Sequence, residues 1–325
     1  MLIAVGLVVV GLVLLVFGAD VLVKGAIGLA TLARLSQAVI GLTIVAAGTS
    51  MPELVVSVNA ALSDSVGLAV GNVVGSNIFN ITAILGICAM VRPLRILSDS
   101  VRLEWPVMML ASMQLHLLAR DGSVDRLEGG FFLIALAAFT GYMVWATRRG
   151  GGGSADTKGV DGDEAVEVTP PPRLLPSLGL VGGGVLLLVA GAESLVHGAT
   201  TLARGAGVSE TIIGLTVVAA GTSLPELATS LVASHRGKDD IAVTNIIGSN
   251  IFNILFILGS TAVIAPLAVP AEIIERDNWW MLGVSLLLLP LMRSGMAISR
   301  AEGAVLVAAF LAYMAMLGQA AFGNG

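Results

Sequence analysis

The residues best suited to bind an ion are polar side chains set at helical spacing inside long apolar segments. Thr49, Glu53 and Ser57 stand at positions i, i+4 and i+8, so a helix places their oxygens on one face, with Ser50 beside them. Three further stripes repeat this spacing: Asn72, Ser76 and Asn80; Thr222, Glu226 and Ser230, with Ser223 beside them; and Asn245, Ser249 and Asn253. Four helices therefore each offer a row of oxygen-bearing side chains.

These stripes contain carboxylates, hydroxyls and side-chain amides, which are all oxygen ligands. Such ligands suit Ca2+, which takes about 6–8 oxygens, whereas zinc, copper and iron sites favour Cys or His. None of His116, His197 and His235 belongs to a stripe. The pattern predicts a site for a hard cation that the protein carries as a substrate, and no cofactor.

The composition places these stripes in a membrane. Of the 325 residues, 56% are hydrophobic and 12% are charged, and the mean hydropathy is +0.94. A soluble domain carries roughly 25% charged residues, so we expect an all-α polytopic membrane protein whose surroundings are the lipid bilayer. The net charge of -5 is too small to indicate a nucleic-acid partner, and no feature of the sequence indicates an oligomeric state.

Ten apolar runs are long enough for membrane spans, since a helix crosses the bilayer with about 20 residues. They lie at about 2–33, 38–62, 67–91, 103–119 and 129–147, and at about 174–205, 211–234, 240–265, 278–293 and 301–320. Residues 148–173 are rich in Gly, Pro and acidic side chains, which is typical of a flexible linker. The chain thus divides into a first five-helix repeat (1–147), this linker (148–173) and a second five-helix repeat (174–325).

Glu53 and Glu226 lie inside two of these spans and need a counter-charge. A carboxylate at the bilayer centre costs about 3 kcal/mol even on mild scales, and the four spans with stripes contain no Lys or Arg. A bound cation is the natural partner, and a protonated structural carboxyl is the alternative. Pro52 and Pro225 favour the site, because a proline cannot donate to the carbonyl four residues earlier and so opens the helix there.

The basic residues predict an orientation. Twelve lie on the side of the odd-numbered connections, namely Arg34, Arg92, Arg95, Arg102, Arg148, Arg149, Lys158, Arg173, Arg236, Lys238, Arg293 and Arg300. Four lie on the other side, namely Arg120, Arg126, Arg204 and Arg276. Because cytoplasmic loops carry the excess of Lys and Arg, we expect a multi-pass protein of the inner (plasma) membrane with a cytoplasmic linker and both termini outside.

An internal repeat is the strongest pattern in the chain. Residues 41–86 match residues 214–259 without a gap at 27 of 46 positions, an offset of 173 (214 − 41). The match includes the motifs GTSxPEL and GSNIFNI in each half. Since an odd number of spans reverses the direction of entry, five spans per half predict inverted repeats related by a pseudo-two-fold axis, with the substrate site near the membrane midplane.

Some neighbouring residues also have a purely structural interpretation. Glycines are typical of close helix packing in membranes, which applies to Gly41, Gly48, Gly75 and their counterparts in the second repeat. Asn77 and Asn250 suit a structural hydrogen bond as well as a ligand role. Asp20 and Glu193 occupy equivalent positions in the first and sixth spans, where a kink or a carboxylate at the mouth of the site is favoured over a role in cation entry.

The paired motifs resemble the alpha-repeats of the cation/calcium exchanger superfamily, in its prokaryotic sodium/calcium exchanger-like branch. The likeness covers most of the chain, with GTSxPE and GSNIFN in each half. It implies a secondary antiporter, not an enzyme, that exports Ca2+ in exchange for Na+. It also implies that spans one and six slide over the other eight.

The resemblance also implies a ligand set. The family's cation ligands fall on Thr49, Ser50, Glu53, Ser76 and Asn80 in the first repeat, and on Thr222, Ser223, Glu226, Ser249 and Asn253 in the second. The carbonyls of Ala46 and Ala219 complete the set. The spacing indicates the same side chains, whereas the two carbonyls rest on the resemblance alone.

Two departures from the family bear on the coupling ion. Proton-coupled relatives typically carry glutamate where this chain has Gly75 and Gly248, which favours sodium coupling. Some sodium-type members carry aspartate at a position matching Asn80 or Asn253, and both are asparagine here. The two glutamates then give the site a charge of -2, which matches one Ca2+.

The alternatives are other cation transporters. An H+-coupled antiporter, or one for another divalent ion, is the nearest, because the two glutamates can also carry protons. A cation channel would keep the same ligands but requires a continuous pore. An intramembrane enzyme is disfavoured, because the sequence contains neither HExxH nor a pair of membrane aspartates.

Overall fold

The long apolar runs of the sequence form helices in the computed structural model. The structure describes residues 1–33, 35–62, 66–149, 173–206 and 219–322. Most of the predicted linker and the first third of the predicted seventh span (211–218) lie outside the described residues.

Helices in the first half begin and end close to the predicted boundaries. They are α1 (Leu2–Ala33), α2 (Gln37–Ile40), α3 (Ala46–Thr49), α4 (Met51–Leu62), α5 (Val66–Phe79), α6 (Leu85–Val91), α7 (Trp105–Leu118) and α8 (Arg126–Arg149). The π-helical turns Gly41–Val45 and Asn80–Ile84 join α2 to α3 and α5 to α6, while the π-helical turn Ser100–Glu104 precedes α7 and the short 3-10 helix Ala119–Asp121 follows it.

The second half has corresponding elements. Its described helices are α9 (Leu174–Gly205), α10 (Ala219–Gly221), α11 (Leu224–His235), α12 (Asp239–Phe252), α13 (Gly259–Ile264), α14 (Asn278–Arg293) and α15 (Arg300–Phe322). The π-helical turn Asn253–Leu258 joins α12 to α13, and Ile273–Asp277 precedes α14. The turns that begin at Asn80 and Asn253 occupy equivalent positions in the two halves. Each of these two candidate ligands is therefore the first residue of an irregular helical turn.

Six of the helical segments in the described part of the chain are long and apolar enough to cross a membrane. They are Leu2–Ala33, Gly67–Val91, Arg126–Thr147, Leu174–Gly205, Asp239–Ile264 and Arg300–Gln319. A seventh is a pair, Gln37–Thr49 and Met51–Leu62, bent by 47°. The bend lies where Pro52 is expected to open the helix. The structure is that of a helical membrane protein, and the count of ten spans stays a prediction.

Two short β-bridges tie the halves together. The strand β1 (Leu94–Arg95) pairs antiparallel with β4 (Ala297–Ile298), and β2 (Ser123–Val124) pairs antiparallel with β3 (Leu267–Ala268). Adding 173 to the residue numbers of β1 gives those of β3, and adding 173 to those of β2 gives 296–297, one residue before β4, so the offset exchanges one bridge for the other to within one residue. A two-fold relation between the halves produces this exchange.

The interior is built from the two spans that carry the asparagine-containing stripes, here called the amide stripes (Asn72, Ser76 and Asn80; Asn245, Ser249 and Asn253). Most of Gly67–Val91 and Asp239–Ile264 is buried, whereas less than a third of the most apolar stretch of each of α1, α8, α9 and α15 is buried. The exposed side chains of these outer helices are largely apolar, as Val13, Phe17 and Leu186 illustrate. Side chains of this kind suit contact with lipid.

The outer helices α1 and α9 pack through glycines. Gly11, Gly18 and Gly25 on α1 are spaced by seven residues, as are Gly184, Gly191 and Gly198 on α9. A Cβ atom on Gly18 would lie 2.9 Å from the Leu188 amide nitrogen, and one on Gly191 would lie 2.9 Å from that of Leu15. The two backbones therefore pack directly against each other without interlocking side chains at these points.

The motif glycines differ in how closely they are packed. A Cβ on Gly248 would lie 2.7 Å from the Leu42 carbonyl oxygen, and one on Gly41 would clash with Thr244. At Gly75 nothing lies within 4 Å of the corresponding position. The packing interpretation therefore holds for Gly41 and Gly248 and does not hold for Gly75.

These two equivalent glycines allow a matched test. We expect Gly248→Ala to lower the free energy of unfolding by about 1–3 kcal/mol, because backbone must move to accommodate the methyl group. Gly75→Ala should leave it within about 0.5 kcal/mol. Thermal unfolding of both purified variants in detergent measures the difference, and equal melting temperatures would contradict the close packing at Gly248.

Candidate functional site: two buried carboxylates between the halves

Glu53 and Glu226 occupy equivalent places in the two halves. Each is the third residue of its helix, after the proline in α4 and in α11. The first turn of a helix carries partial positive charge from its free N–H groups, which favours a carboxylate there. Both side chains are buried, with 1% and 0% of their surface exposed.

Each carboxylate is held by a serine of the other half. The Ser223 hydroxyl donates a hydrogen bond to Oε1 of Glu53, and the Ser50 hydroxyl donates one to Oε1 of Glu226, both at 2.9 Å. The Ser223 hydroxyl also lies 3.4 Å from Oγ of Ser76. The break after α3 and the break before α11 meet at this point, so neither half forms the site alone.

Several buried oxygens of the predicted ligand residues have no hydrogen-bond partner. They are Oε2 of Glu53, Oε2 of Glu226, Oδ1 of Asn80, Oδ1 of Asn253, Oγ1 of Thr222 and Oγ of Ser249. Buried acceptors are normally paired, because an unpaired one keeps its desolvation cost. In the part of the chain that the structure describes, no Lys or Arg forms an ion pair with either glutamate. The two carboxylates therefore lie together in the interior without a basic side chain, among the described residues, to balance their charge.

The remaining predicted ligands are engaged with protein groups. The Thr49 hydroxyl lies 3.3 Å from the Ala46 carbonyl oxygen and 3.4 Å from Oδ1 of Asn245. The Ala46 carbonyl also accepts the Ser50 N–H at 3.0 Å. Ala219 begins α10, in the position that corresponds to Ala46 in α3. The first-half hydroxyls are thus hydrogen-bonded, whereas the hydroxyl of Thr222 lies near Glu53 and that of Ser249 near Glu226 without a close hydrogen bond.

The stripe residues that are not predicted ligands, namely Ser57, Asn72, Ser230 and Asn245, form hydrogen bonds between neighbouring helices. Asn72 Nδ2 donates to Oγ of Ser57 at 3.0 Å, and Asn245 Nδ2 donates to Oγ of Ser230 at the same distance. Asn72 also donates to the Glu53 carbonyl oxygen at 3.3 Å. These bonds connect α4 to α5 and α11 to α12, which fixes the relative positions of the inner stripe residues.

Two methionines that the sequence motifs do not include lie beside the side-chain amides of Asn77 and Asn250. Sδ of Met281 is 3.7 Å from Nδ2 of Asn77, and Sδ of Met108 is 3.6 Å from Nδ2 of Asn250. Both methionines are buried. Their numbers differ by 173 (281 − 108), so the repeat offset is the signal in the sequence that identifies them as equivalent.

A cavity of about 820 Å3 reaches the site from one end of the bundle. It is lined by Leu7 of α1, by Glu193 and Arg204 of α9, and by Pro52 and Thr222 beside the two glutamates. Glu193 therefore lines the cavity that leads toward the two glutamates.

The equivalent residue Asp20 has a different environment. It forms ion pairs with Lys24, at 2.8 Å, and with Arg236. Asp20 is 13 residues from Leu7, about 20 Å along the helix. Both ion pairs thus lie well beyond the end of α1 that lines the cavity. The pair with Arg236 joins α1 to the segment that follows α11.

The oxygen groups at this place have the chemistry that a hard cation prefers. Among the described residues, no group of three or more His, Cys, Asp or Glu side chains is placed to hold a metal ion. The free ligands are two carboxylate oxygens, two amide oxygens and two hydroxyls. This combination suits an ion that binds hydroxyl and amide oxygens as well as carboxylate.

Comparison with known proteins is consistent with this chemistry. The sequence profile described as "Sodium/calcium exchanger protein" matches residues 3–145 and 176–318. The chain belongs to this family. The two matched segments exclude the predicted linker, and the family consists of transporters, so the protein is an antiporter of the exchanger family and not an enzyme.

Individual relatives match nearly the whole chain. The putative antiporter CaxA of Alkalimonas amylolytica is 42% identical over 98% of this chain and 99% of its own. The inner membrane protein YrbG of Escherichia coli is 39% identical over 98% and 97%. The sodium/calcium exchanger MaX1 of Methanosarcina acetivorans is 30% identical over 94% and 96%.

A solved structure has the same fold. The sodium-calcium exchanger NCX_Mj, soaked with zero Na+ and Ca2+, superimposes with a TM-score of 0.81 at 29% identity, covering 97% of this chain and 99% of that one. The architecture of this protein is therefore that of an exchanger determined by experiment.

The unpaired carboxylates should limit the stability of the cation-free protein. Glu53→Gln and Glu226→Gln each remove one buried negative charge and keep the side-chain shape. We expect each variant to gain about 1–3 kcal/mol in Na+-free buffer with a chelator at pH 8, a rise of a few degrees in melting temperature. Glu193→Gln, at an exposed carboxylate, is the control and should change little. A lower melting temperature for both site variants would show that the carboxylates are already compensated.

Proposed function

We propose that this protein is a secondary antiporter that exports Ca2+ in exchange for Na+ by alternating access. The observation that carries the proposal is the pair of buried glutamates, one from each half. Each accepts a hydrogen bond from the other half's serine, and each keeps a free oxygen. Two carboxylates match the charge of one Ca2+, and relatives of this chain are named sodium/calcium exchangers.

The proposed ligands are ten residues taken from the four stripes and from the positions beside them. They are Thr49, Ser50, Glu53, Ser76, Asn80, Thr222, Ser223, Glu226, Ser249 and Asn253, with the carbonyls of Ala46 and Ala219. Bound Ca2+ would use both glutamates, while Na+ ions would spread over hydroxyl and amide oxygens as well. The two ions then compete for overlapping positions, and one must leave before the other binds fully.

The described contacts support two inverted repeats of five spans. The offset of 173 exchanges the two serine–glutamate bonds for each other, and to within one residue it does the same for the two β-bridges. Positive charge on the loops favours external termini and a cytoplasmic linker. One relative is named an inner membrane protein, which agrees with the proposed location.

Alternating access requires one open and one closed route to the site. The cavity lined by Leu7 and Arg204 provides the open route, and with external termini it faces outward. The Asp20–Arg236 ion pair lies toward the opposite side and holds α1 against the segment after α11. The glycine contacts let α1 and α9 move as one body over the core. An empty site would carry two desolvated charges across the apolar interior, which opposes leak and enforces exchange.

The nearest alternatives differ in counter-ion dependence. Proton coupling would use the same glutamates, and Gly75, with open space at its Cβ position, marks where proton-coupled relatives carry a carboxylate. A channel would conduct Ca2+ with no counter-ion. Two of the relatives are sodium/calcium exchangers by name, which favours sodium coupling.

Transport by the site variants tests the function. Glu53→Gln and Glu226→Gln should reduce Na+-dependent 45Ca uptake into Na+-loaded proteoliposomes to background, because an amide cannot balance a divalent ion. Glu275→Gln, at an exposed position, is the matched control and should transport normally. Near-normal flux in both site variants would contradict the site. Full-rate wild-type Ca2+ flux with K+ in place of Na+ at fixed pH would reject sodium coupling, and an applied pH difference then tests the proton alternative.

Cysteine labelling tests the topology. Ser154→Cys in the linker and Gly323→Cys near the C-terminus should react with a membrane-impermeant maleimide from opposite sides, the first cytoplasmic and the second external. The native Cys88 is buried, so background labelling should be low. Reaction of both from the same side would contradict an odd number of spans in the second half and, with it, the inverted repeat.

A further inference from the structure

Asn77 and Asn250 form a reciprocal pair at the centre of the bundle. They are 1% and 0% exposed and follow Ser76 and Ser249 directly. Nδ2 of Asn77 donates to the Asn250 carbonyl oxygen at 3.3 Å, and Nδ2 of Asn250 donates to the Asn77 carbonyl oxygen at 3.4 Å. The pair therefore links α5 to α12 by two equivalent hydrogen bonds.

The side-chain oxygens of this pair hold the amide groups of two proposed ligands. Asn253 Nδ2 donates to Oδ1 of Asn77 at 2.9 Å, and Asn80 Nδ2 donates to Oδ1 of Asn250 at 3.0 Å. The connections cross between the halves, because each asparagine of the pair holds the ligand of the other half. With their nitrogens held, Asn80 and Asn253 each keep a side-chain oxygen with no partner.

The orientation of the pair itself is determined by its other neighbours. Nδ2 of Asn77 faces the Asn250 carbonyl and Sδ of Met281, while Nδ2 of Asn250 faces the Asn77 carbonyl and Sδ of Met108. Carbonyl oxygens and thioether sulfurs only accept hydrogen bonds. An amide flipped by 180° would place its oxygen against two acceptors, so the network permits one orientation.

The orientation of an asparagine amide matters at a cation site. An asparagine ligand must present oxygen, since its NH2 group carries partial positive charge and repels a cation. Rotation of the terminal amide exchanges the two groups, and an unconstrained side chain would present either. The carbonyl and thioether acceptors fix the amides of Asn77 and Asn250, and these two amides in turn hold the Nδ2 atoms of Asn253 and Asn80. The Oδ1 atoms of Asn253 and Asn80 are then left without a partner.

We propose that Asn77 and Asn250 are positioning residues that orient the Oδ1 atoms of Asn253 and Asn80 for the transported cation. Asn77 acts on Asn253, and Asn250 acts on Asn80. The proposal rests on the proposed function, because it takes Asn80 and Asn253 as cation ligands. It extends that function to two residues outside the ligand set.

A double-mutant cycle on Ca2+ affinity, measured by calorimetry on purified protein in detergent, tests the crossed pairing. Groups that orient metal ligands typically contribute 10–100-fold to affinity, so Asn77→Ala should weaken Ca2+ binding by about that factor. In an Asn253→Ala background it should cause no further loss. In an Asn80→Ala background it should cause its full loss, and Asn250→Ala should show the mirrored dependence.

Two control variants separate orientation from packing. Asn278→Ala removes the same side chain from a buried position of α14 whose amide has no hydrogen-bond partner, and should leave Ca2+ affinity unchanged. Met281→Leu keeps the side-chain volume and removes the weak sulfur acceptor, and should weaken binding less than threefold. Thermal unfolding without cation confirms that each variant is folded.

The outcomes distinguish this inference from the proposed function. An unchanged Ca2+ affinity in Asn77→Ala, or an equal loss in the Asn253→Ala background, would overturn the positioning role and leave the exchanger intact. A wild-type protein that binds neither Ca2+ nor Na+ would reject the function and the inference together. If the alanine variants do not fold, a Ca2+-bound wild-type crystal structure decides: Oδ1 of Asn253 on the ion supports the role, and Oδ1 of Asn77 on the ion overturns it.

Discussion

Two carboxylates in an apolar interior are the constraint to which the rest of this structure responds. Glu53 and Glu226 are almost fully buried, and no basic side chain pairs with them in the described part of the chain. Desolvation of such groups is costly unless positive charge or donors replace water. The available compensation is one close serine hydrogen bond each, neighbouring hydroxyls of Thr49, Thr222 and Ser249, and the first turn of a helix. All of these groups are neutral, so a positive charge at this place would stabilise the two carboxylates further, which is the basis of the proposed cation site.

The two-fold pattern of contacts explains how this demand is shared. Ser50 belongs to the first half and holds Glu226, while Ser223 belongs to the second half and holds Glu53. The asparagine bonds and the β-bridges follow the same exchange. Because every such contact crosses between the halves, the site is an interface. A relative movement of parts of the bundle changes access to it without unfolding either half.

Packing divides the bundle into a buried core and outer helices, of which the proposed alternating access would move α1 and α9. The spans that carry the amide stripes are mostly buried and are linked to α4 and α11 by the bonds of Asn72 and Asn245. By contrast, α1 and α9 lie outside, with apolar exposed side chains and glycine contacts between their backbones. Smooth backbone contacts resist sliding less than interlocked side chains do. The Asp20–Arg236 ion pair provides a polar contact that must break if α1 moves.

Much of this protein can be predicted from its sequence, because the bilayer permits few solutions. A span must be apolar and helical, so the boundaries of α9 and α14 follow from composition alone. The i, i+4, i+8 spacing of Thr49, Glu53 and Ser57 likewise places them on one face, and the 173-residue offset identifies their counterparts.

Contacts between the halves were decided only by the tertiary structure. Helical periodicity does not reveal that Ser223 meets Glu53, that Gly75 has open space where Gly248 is packed, or that Met281 lies beside Asn77. Nor does it distinguish Asp20, which is paired with Arg236, from Glu193, which lines the cavity. Such differences arise because equivalent residues occupy different environments in one conformation, and a repeated sequence encodes the equivalence without the environment.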